Sequence, residues 1–159
     1  EVLAETADQI TREFGARVVF LPMQYPEDVK AAARIAEMTK EPVTVLDDEY
    51  TTSELLSIVG NMDLLLAVRL HALIFAGVMG VPMIGISYDP KVDRFMDSIG
   101  ETSVGNLQDI TVDELMAEVR TKWNDKATFR AKNAELLSGL RVLASRNAEL
   151  ALGLINNEH

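Results

Sequence analysis

The chain has 159 residues, of which 48% are hydrophobic and 25% charged, enough for one domain with a sizeable core. Its formal net charge of −10 disfavours a general nucleic-acid or anionic-membrane surface, so any anion site must be a local basic pocket. There is no cysteine, which excludes disulfides, thiolate metal sites and cysteine nucleophiles and fits a cytoplasmic protein.

The opening Glu1-Val-Leu-Ala-Glu reads as the middle of a helix, and the expectation is a piece of a longer protein. Val2, Leu3, Ala7, Ile10 and Phe14 fall at helical spacing, with Gly15 as the stop. Arg17 to Leu21 is a short β-branched run and predicts a strand. Pro22-Met-Gln24-Tyr25-Pro26-Glu27-Asp28 follows as a loop at that strand's carboxyl end. Val29, Ala33, Ile35, Ala36 and Met38 predict a helix that Pro26 starts. Pro42 separates it from a strand over Val43 to Leu46. Thr51-Thr-Ser-Glu54 is a capping box in front of Leu55, Leu56, Ile58 and Val59, with Gly60 as the stop.

The stretch from Asp63 to Asp97 carries the most information. Leu64 to Val68 is an unbroken apolar run, as expected of a strand covered on both faces. Arg69 and His71 appear where that strand should end. Ala72 to Met79 is apolar nearly all round and predicts a buried helix closed by Gly80. Met83 to Ile86 is a second apolar strand, followed by Ser87, Tyr88, Asp89 and Lys91. Pro90 to Ile99 then predicts a helix ending at Gly100, and Thr102 to Leu107 a last short strand or loop. Thr111-Val-Asp-Glu114 is a second capping box, opening a helix to about Trp123. Residues 126–155 read as one long helix with a stripe of Phe129, Leu136, Leu140, Leu143, Leu150 and Leu154. No apolar run approaches the roughly 18 residues of a membrane-spanning helix.

Strand–helix alternation at this spacing predicts an α/β fold: a Rossmann-like parallel sheet flanked by helices, in a single domain over 1–159. In the usual doubly wound order the first strand would precede the opening helix and lie centrally. The expectation is therefore a sheet whose first strand is missing. It should leave a gap between the strands at Arg17 and Asp63, closed by re-pairing or by exchange with a second copy.

Two parallel strands would deliver polar groups to one carboxyl edge, where open α/β sheets bind ligands. His71 sits at a strand-to-helix junction, where free N–H groups favour anions. A histidine there serves as a general acid or base, or merely packs and caps. Arg69 suits bidentate recognition of carboxylate or phosphate; its structural alternative is an ion pair with Asp63, Asp89 or Asp93. Lys91 suits phosphate as a point charge, or is a solvated first-turn lysine. Ser87 and Tyr88 could orient a ligand, and Asp89 before Pro90 is a helix cap. Gln24 and Asp28 could line the site, although turn formation explains Asp28 as well. Asp47, Asp48 and Glu49 form an acidic trio better read as a solvated turn than as a metal site.

The run Arg69-Leu-His71-Ala-Leu-Ile-Phe-Ala, with Gly80-Val-Pro and Gly85-Ile-Ser-Tyr-Asp-Pro-Lys91, resembles the polysaccharide pyruvyl transferase family. Pro22-Met-Gln24 and Asp48-Glu49-Tyr50-Thr are similar to its bacterial cell-wall branch. The resemblance implies the carboxyl-terminal half of a two-domain, GT-B-like enzyme. Such an enzyme moves pyruvate from phosphoenolpyruvate, as a ketal, onto β-N-acetylmannosamine of a lipid-linked precursor, and the product helps anchor surface-layer proteins. It places the catalytic histidine on His71 and donor binding on Arg69 and Lys91. It implies no cofactor beyond phosphoenolpyruvate as donor substrate, and no metal. The expected partners are that donor, the lipid-linked saccharide acceptor and an amino-terminal domain, without nucleic acid. The expected location is the cytoplasm, at the inner face of the membrane. Alone, the fragment should be inactive and prone to self-association. Ala67-Val68 departs from the family pattern, where a Gly-Met-like pair would stand. The alternatives are a GT-B glycosyltransferase using a nucleotide sugar, against which the apolar Ala76 to Gly80 argues, and a non-enzymatic interaction module whose last helix docks a partner.

Overall fold

The computed structural model describes residues 1–129 and 131–134. Five parallel strands alternate with helices in the order α1 (Val2–Phe14), β1 (Val18–Phe20), α2 (Glu27–Ala36), β2 (Val43–Val45), α3 (Thr52–Gly60), β3 (Leu65–Ala67), α4 (Leu70–Met79), β4 (Met83–Ser87), α5 (Pro90–Ser98), β5 (Val104–Asn106) and α6 (Val112–Asn124). The expected α/β, Rossmann-like class is what the chain adopts. The long helix expected over 126–155 lies mostly outside the described residues.

Local chemistry sets the boundaries. Gly15 and Gly80 end α1 and α4 in the left-handed conformation, φ 62° and 69°, which glycine adopts without a Cβ clash. Both capping boxes form. Thr51 and Thr111 accept the amides of Glu54 and Glu114, whose carboxylates reach back to the cap amides. Asp89 caps α5 by accepting the Lys91 amide at 2.9 Å, with Pro90 at the first helical position. Two expected boundary roles differ. Pro26 is the N-cap of α2 rather than its first residue, after a cis Tyr25–Pro26 bond. Gly60 is the last residue of α3, which Asn61 caps; a side chain at 60 would collide with Met79 of α4.

The sheet alternates as parallel strands should. Leu65, Ala67 and Met83 face one layer and pack with α3, α4 and α5 through Val59, Leu73, Ala76, Val92 and Met96. Leu64, Leu66, Ile84 and Ile86 face the other layer, formed by α1 and α6 through Ile10, Phe14, Met116 and Val119. The Phe14 and Trp123 rings, 4.9 Å apart, tie those two helices together. Helix α4 is less buried than its composition suggests. Its contacts with α3, α5, β3 and β4 leave one face of its last turn outside, where Val78 and Met79 are more than 40% exposed.

The register is interrupted where the sequence reading placed a gap. β1 pairs only with β2, and β3–β4–β5 form a separate three-stranded sheet. β1 and β3 do not re-pair. Their facing edges line a cleft of about 760 Å³.

Candidate functional site

Three carboxyl-end segments carry the expected polar residues: Pro22–Asp28 after β1, Arg69–His71 after β3, and Ser87–Lys91 after β4. β3 and β4 are parallel neighbours, so the last two share one edge, and the contact between Asp28 and Arg69 brings the segment after β1 to it.

Arg69 is the hub. It is the N-cap residue of α4, with extended backbone, and its side chain turns back over the sheet edge to Asp28. The contact is a fork: Nε donates to Asp28 Oδ2 at 3.2 Å, and Nη2 donates to Oδ1 at 2.6 Å. The sequence suggested Asp63, Asp89 or Asp93 as acidic partner; Asp28 takes that place, and Asp63 instead meets Lys126 at 3.2 Å. Asp28 also accepts the amides of Met23 and Gln24 at 3.2 and 3.0 Å. One carboxylate therefore does both jobs considered for it, closing its own turn and lining the edge. Burial pushes the Asp28 carboxyl up, but the Arg69 hydrogen bond and the two amides outweigh it and hold the group below its usual range.

Tyr88 acts on both cations. The bond to Asp28 is the largest influence raising the Arg69 guanidinium, with the Tyr88 phenol adding to it. The Lys91 ammonium is raised first by that same phenol and then by the charge of Asp89. Lys91 Nζ lies 5.5 Å from the Tyr88 ring centre and 3.6 Å from Asp89 Oδ2. Lys91 is exposed and Arg69 half-buried, so both keep donors for an anion. Only two of the five N–H donors of a guanidinium are engaged with Asp28.

His71 is the second residue of α4 and is exposed, with no hydrogen bond to its ring among the described residues. The α4 amides that cannot bond within the helix start beside it, at Leu70 and His71. Gln24 is exposed on the β1 loop. Ser87 points elsewhere: its hydroxyl donates to Asp93 at 2.8 Å, and Ser103 donates to the other oxygen of that carboxylate. Those two hydroxyls, Ser103 first, hold the Asp93 carboxyl below its usual range. Asp47, Asp48 and Glu49 are exposed after β2, and among the described residues no acidic or histidine cluster could hold a metal ion. None of the described helices is long and apolar enough to cross a membrane.

The structure thus sets Lys91 over Tyr88 and Arg69 on Asp28, the anchor that sequence reading underweighted. A Pro-rich loop after a strand, ending in one aspartate, was the available signal; its partner 41 residues later was not visible.

No match was found among curated proteins, and none among solved structures. The family model described as polysaccharide pyruvyl transferase matches residues 1–90, a span that takes in Gln24, Asp28, Arg69, His71, Ser87 and Tyr88 and ends one residue before Lys91. More than half of the chain lies inside that match, and the chain belongs to the polysaccharide pyruvyl transferase family.

Proposed function

We propose that this chain is the donor-binding, carboxyl-terminal half of a GT-B-like enzyme of the bacterial cell-wall branch. It would transfer pyruvate from phosphoenolpyruvate, as a ketal, onto β-N-acetylmannosamine of a lipid-linked precursor of a surface-layer-anchoring polysaccharide. The observation that carries the reading is the cationic pair Arg69 and Lys91 around Tyr88, beside the free amino end of α4, in a chain of net charge −10.

Phosphoenolpyruvate carries a carboxylate and a phosphate, and needs at least two cationic contacts. Arg69 offers a planar fork suited to the carboxylate, and Lys91 a mobile point charge suited to phosphate. The α4 amides add partial positive charge. Protonation of the methylene carbon of the enol makes it a methyl group and leaves an oxocarbenium-like centre on the adjacent carbon. A sugar hydroxyl adds there and gives up its proton. Phosphate then leaves, a second hydroxyl closes the ketal, and its proton is released. His71, exposed at the site, is the group that donates or accepts these protons. Arg69 and Lys91 hold the charge that develops on phosphate. This scheme uses no metal and no other cofactor. The acceptor would come to the site with an amino-terminal domain, at the inner face of the cytoplasmic membrane.

The test is phosphoenolpyruvate-dependent pyruvylation of a β-N-acetylmannosaminyl acceptor by the chain together with its partner domain, wild type beside His71→Ala. The substitution should cost about 10²–10⁴-fold in rate. An unchanged rate moves the proton transfer to another residue. No transfer in either protein, with a nucleotide sugar raising Tm where phosphoenolpyruvate does not, overturns the reading in favour of a glycosyltransferase.

A further inference from the structure

Asp93 lies in the first turn of α5, and hydroxyls take its carboxylate from both sides. Ser87, the last residue of β4, donates to Oδ2 at 2.8 Å, and Ser103, just before β5, donates to Oδ1. The first bond spans six residues and the second ten, so one side chain ties together the end of β4, the start of α5 and the entry to β5. The shorter of these spans encloses Tyr88 and Lys91. We propose that Asp93 is a positioning residue for the donor site: through Ser87 and Ser103 it holds the turn that carries Tyr88 and Lys91. This rests on the reading of Arg69 and Lys91 as the donor-binding pair.

Packing does not fix that turn. Val92 and Met96, both fully buried, seat α5 in the core, and β4 is held by strands on both sides. Between strand and helix stand Tyr88, 41% exposed, and Asp89. The Asp89 cap secures the helix side by accepting the Lys91 amide, and the Ser87 carbonyl secures the strand side by accepting the Leu107 amide at 3.0 Å. Among the described residues, the Ser87–Asp93 bond is the side-chain bond that crosses the turn from one side to the other. Its partner bond to Ser103 keeps the carboxylate from swinging away with the helix surface.

The residue type suits the task. A carboxylate offers acceptors alone, which matches two hydroxyl donors, and its charge is favourable at the amino end of α5. The two hydroxyls lower its carboxyl, so it is ionised at neutral pH. Asp93 thus does for the Lys91 arm what Asp28 does for Arg69. A ligand with an anionic group at each end needs both arms at a set separation.

The experiment uses the chain together with its partner domain and compares wild type with Asp93→Ala, Asp93→Asn, Ser103→Ala and Lys91→Met. The dissociation constant for phosphoenolpyruvate is read by titration calorimetry, KM and kcat by pyruvylation, and the fold by Tm without ligand. Asp93→Ala loses both bridges and should raise the dissociation constant and KM about tenfold, with kcat within about threefold of wild type. Asp93→Asn should stay within about twofold of wild type, because an amide accepts from one serine and donates to the other. Ser103→Ala removes one bridge and should weaken binding about threefold; it carries the test if Asp93→Ala does not fold. Unchanged binding in Ser103→Ala and in a folded Asp93→Ala overturns the proposal, as does Asp93→Asn binding as poorly as Asp93→Ala. Lys91→Met is the control on the donor reading. Weakened binding there, with none in the Asp93 and Ser103 variants, overturns this proposal alone. No binding by wild type, or unaltered binding by Lys91→Met, overturns the donor reading and the proposal with it.

Discussion

The Arg69–Asp28 fork joins the two half-sheets at the edge where the donor is proposed to bind, and its energy follows from the geometry. Two unit charges about 4 Å apart attract by about 4 kcal/mol at the effective dielectric of a protein surface. The Arg69 side chain is 42% exposed and that of Asp28 21%, so solvent screening and side-chain ordering remove most of this. Exposed pairs reach about 1 kcal/mol, and the bidentate geometry raises the expectation to about 1.5 kcal/mol. Asp28 also holds the Met23 and Gln24 amides, each worth about 1 kcal/mol. Asp28→Ala should then cost about 3.5 kcal/mol, Arg69→Ala about 1.5 kcal/mol, and the double variant little more than Asp28→Ala alone. Urea unfolding of the four proteins measures this directly. The Asp28 carboxyl titrates below its unfolded value of about 3.9. Its contribution is fully present above that pH and is lost as pH falls through the lower folded value. Between about pH 5 and about pH 3, wild type should lose stability faster than Asp28→Asn. A coupling energy under about 0.3 kcal/mol, or equal losses in the two single variants, would refute the reasoning.

Further outcomes follow from other contacts. Leu73 is fully buried, and Leu73→Ala should cost about 3 kcal/mol. A methyl group at Gly85 would meet Met96 at 3.1 Å and Leu73 Cδ1 at 3.3 Å, so Gly85→Ala should cost about 1–2 kcal/mol. Made together they should cost less than their sum, because the smaller side chain at 73 vacates that contact; strict additivity in urea unfolding would count against this packing. Asp8, 2% exposed, accepts the Lys40 amide at 2.9 and 3.0 Å and the Glu41 amide at 2.9 Å, and Asp8→Asn should lower stability by about 2 kcal/mol. Burial opposes its ionisation, but those amides prevail and its carboxyl lies below the usual range, so this loss should shrink on acidification below about pH 4. Lys91→Met should change stability by less than about 0.5 kcal/mol while abolishing the phosphoenolpyruvate-induced rise in Tm; an intact rise would remove Lys91 from the donor site.

How much of this was readable from the residues depended on the range of the interaction. Elements fixed locally appeared in order: the Thr51 and Thr111 boxes, the Gly15 and Gly80 stops and the Asp89 cap all sit within four residues of what they satisfy. The gap was legible for a different reason, since topology requires a strand beside β1 and no run of residues supplied it. The Arg69–Asp28 fork and the turn of Ser87 toward Asp93 were not legible. Each depends on where a side chain points once two strands have been placed side by side, and sequence spacing does not carry that. The exposure of Val78 and Met79 was hidden by the same limit: an apolar helix reads as buried until its neighbours are known.

The interrupted sheet and the cationic edge occupy one place, and each constrains the other. In a chain of net charge −10, a ligand with a carboxylate and a phosphate must be drawn to a small region whose cations are not cancelled by nearby carboxylates. Arg69 meets that condition only in part, because Asp28 neutralises one side of its guanidinium while fixing its orientation. Freed of Asp28, Arg69 would carry more net charge but would lose the anchor that aims it at the edge. Substituting Asp28 should therefore separate the two effects. Asp28→Asn keeps an acceptor for the loop amides and should tighten phosphoenolpyruvate binding at low ionic strength. Asp28→Ala frees both loop and arginine and should weaken it. The opposite order, measured by titration calorimetry on the two variants, would show that the charge of Arg69 matters at this edge less than Asp28's own place in the site.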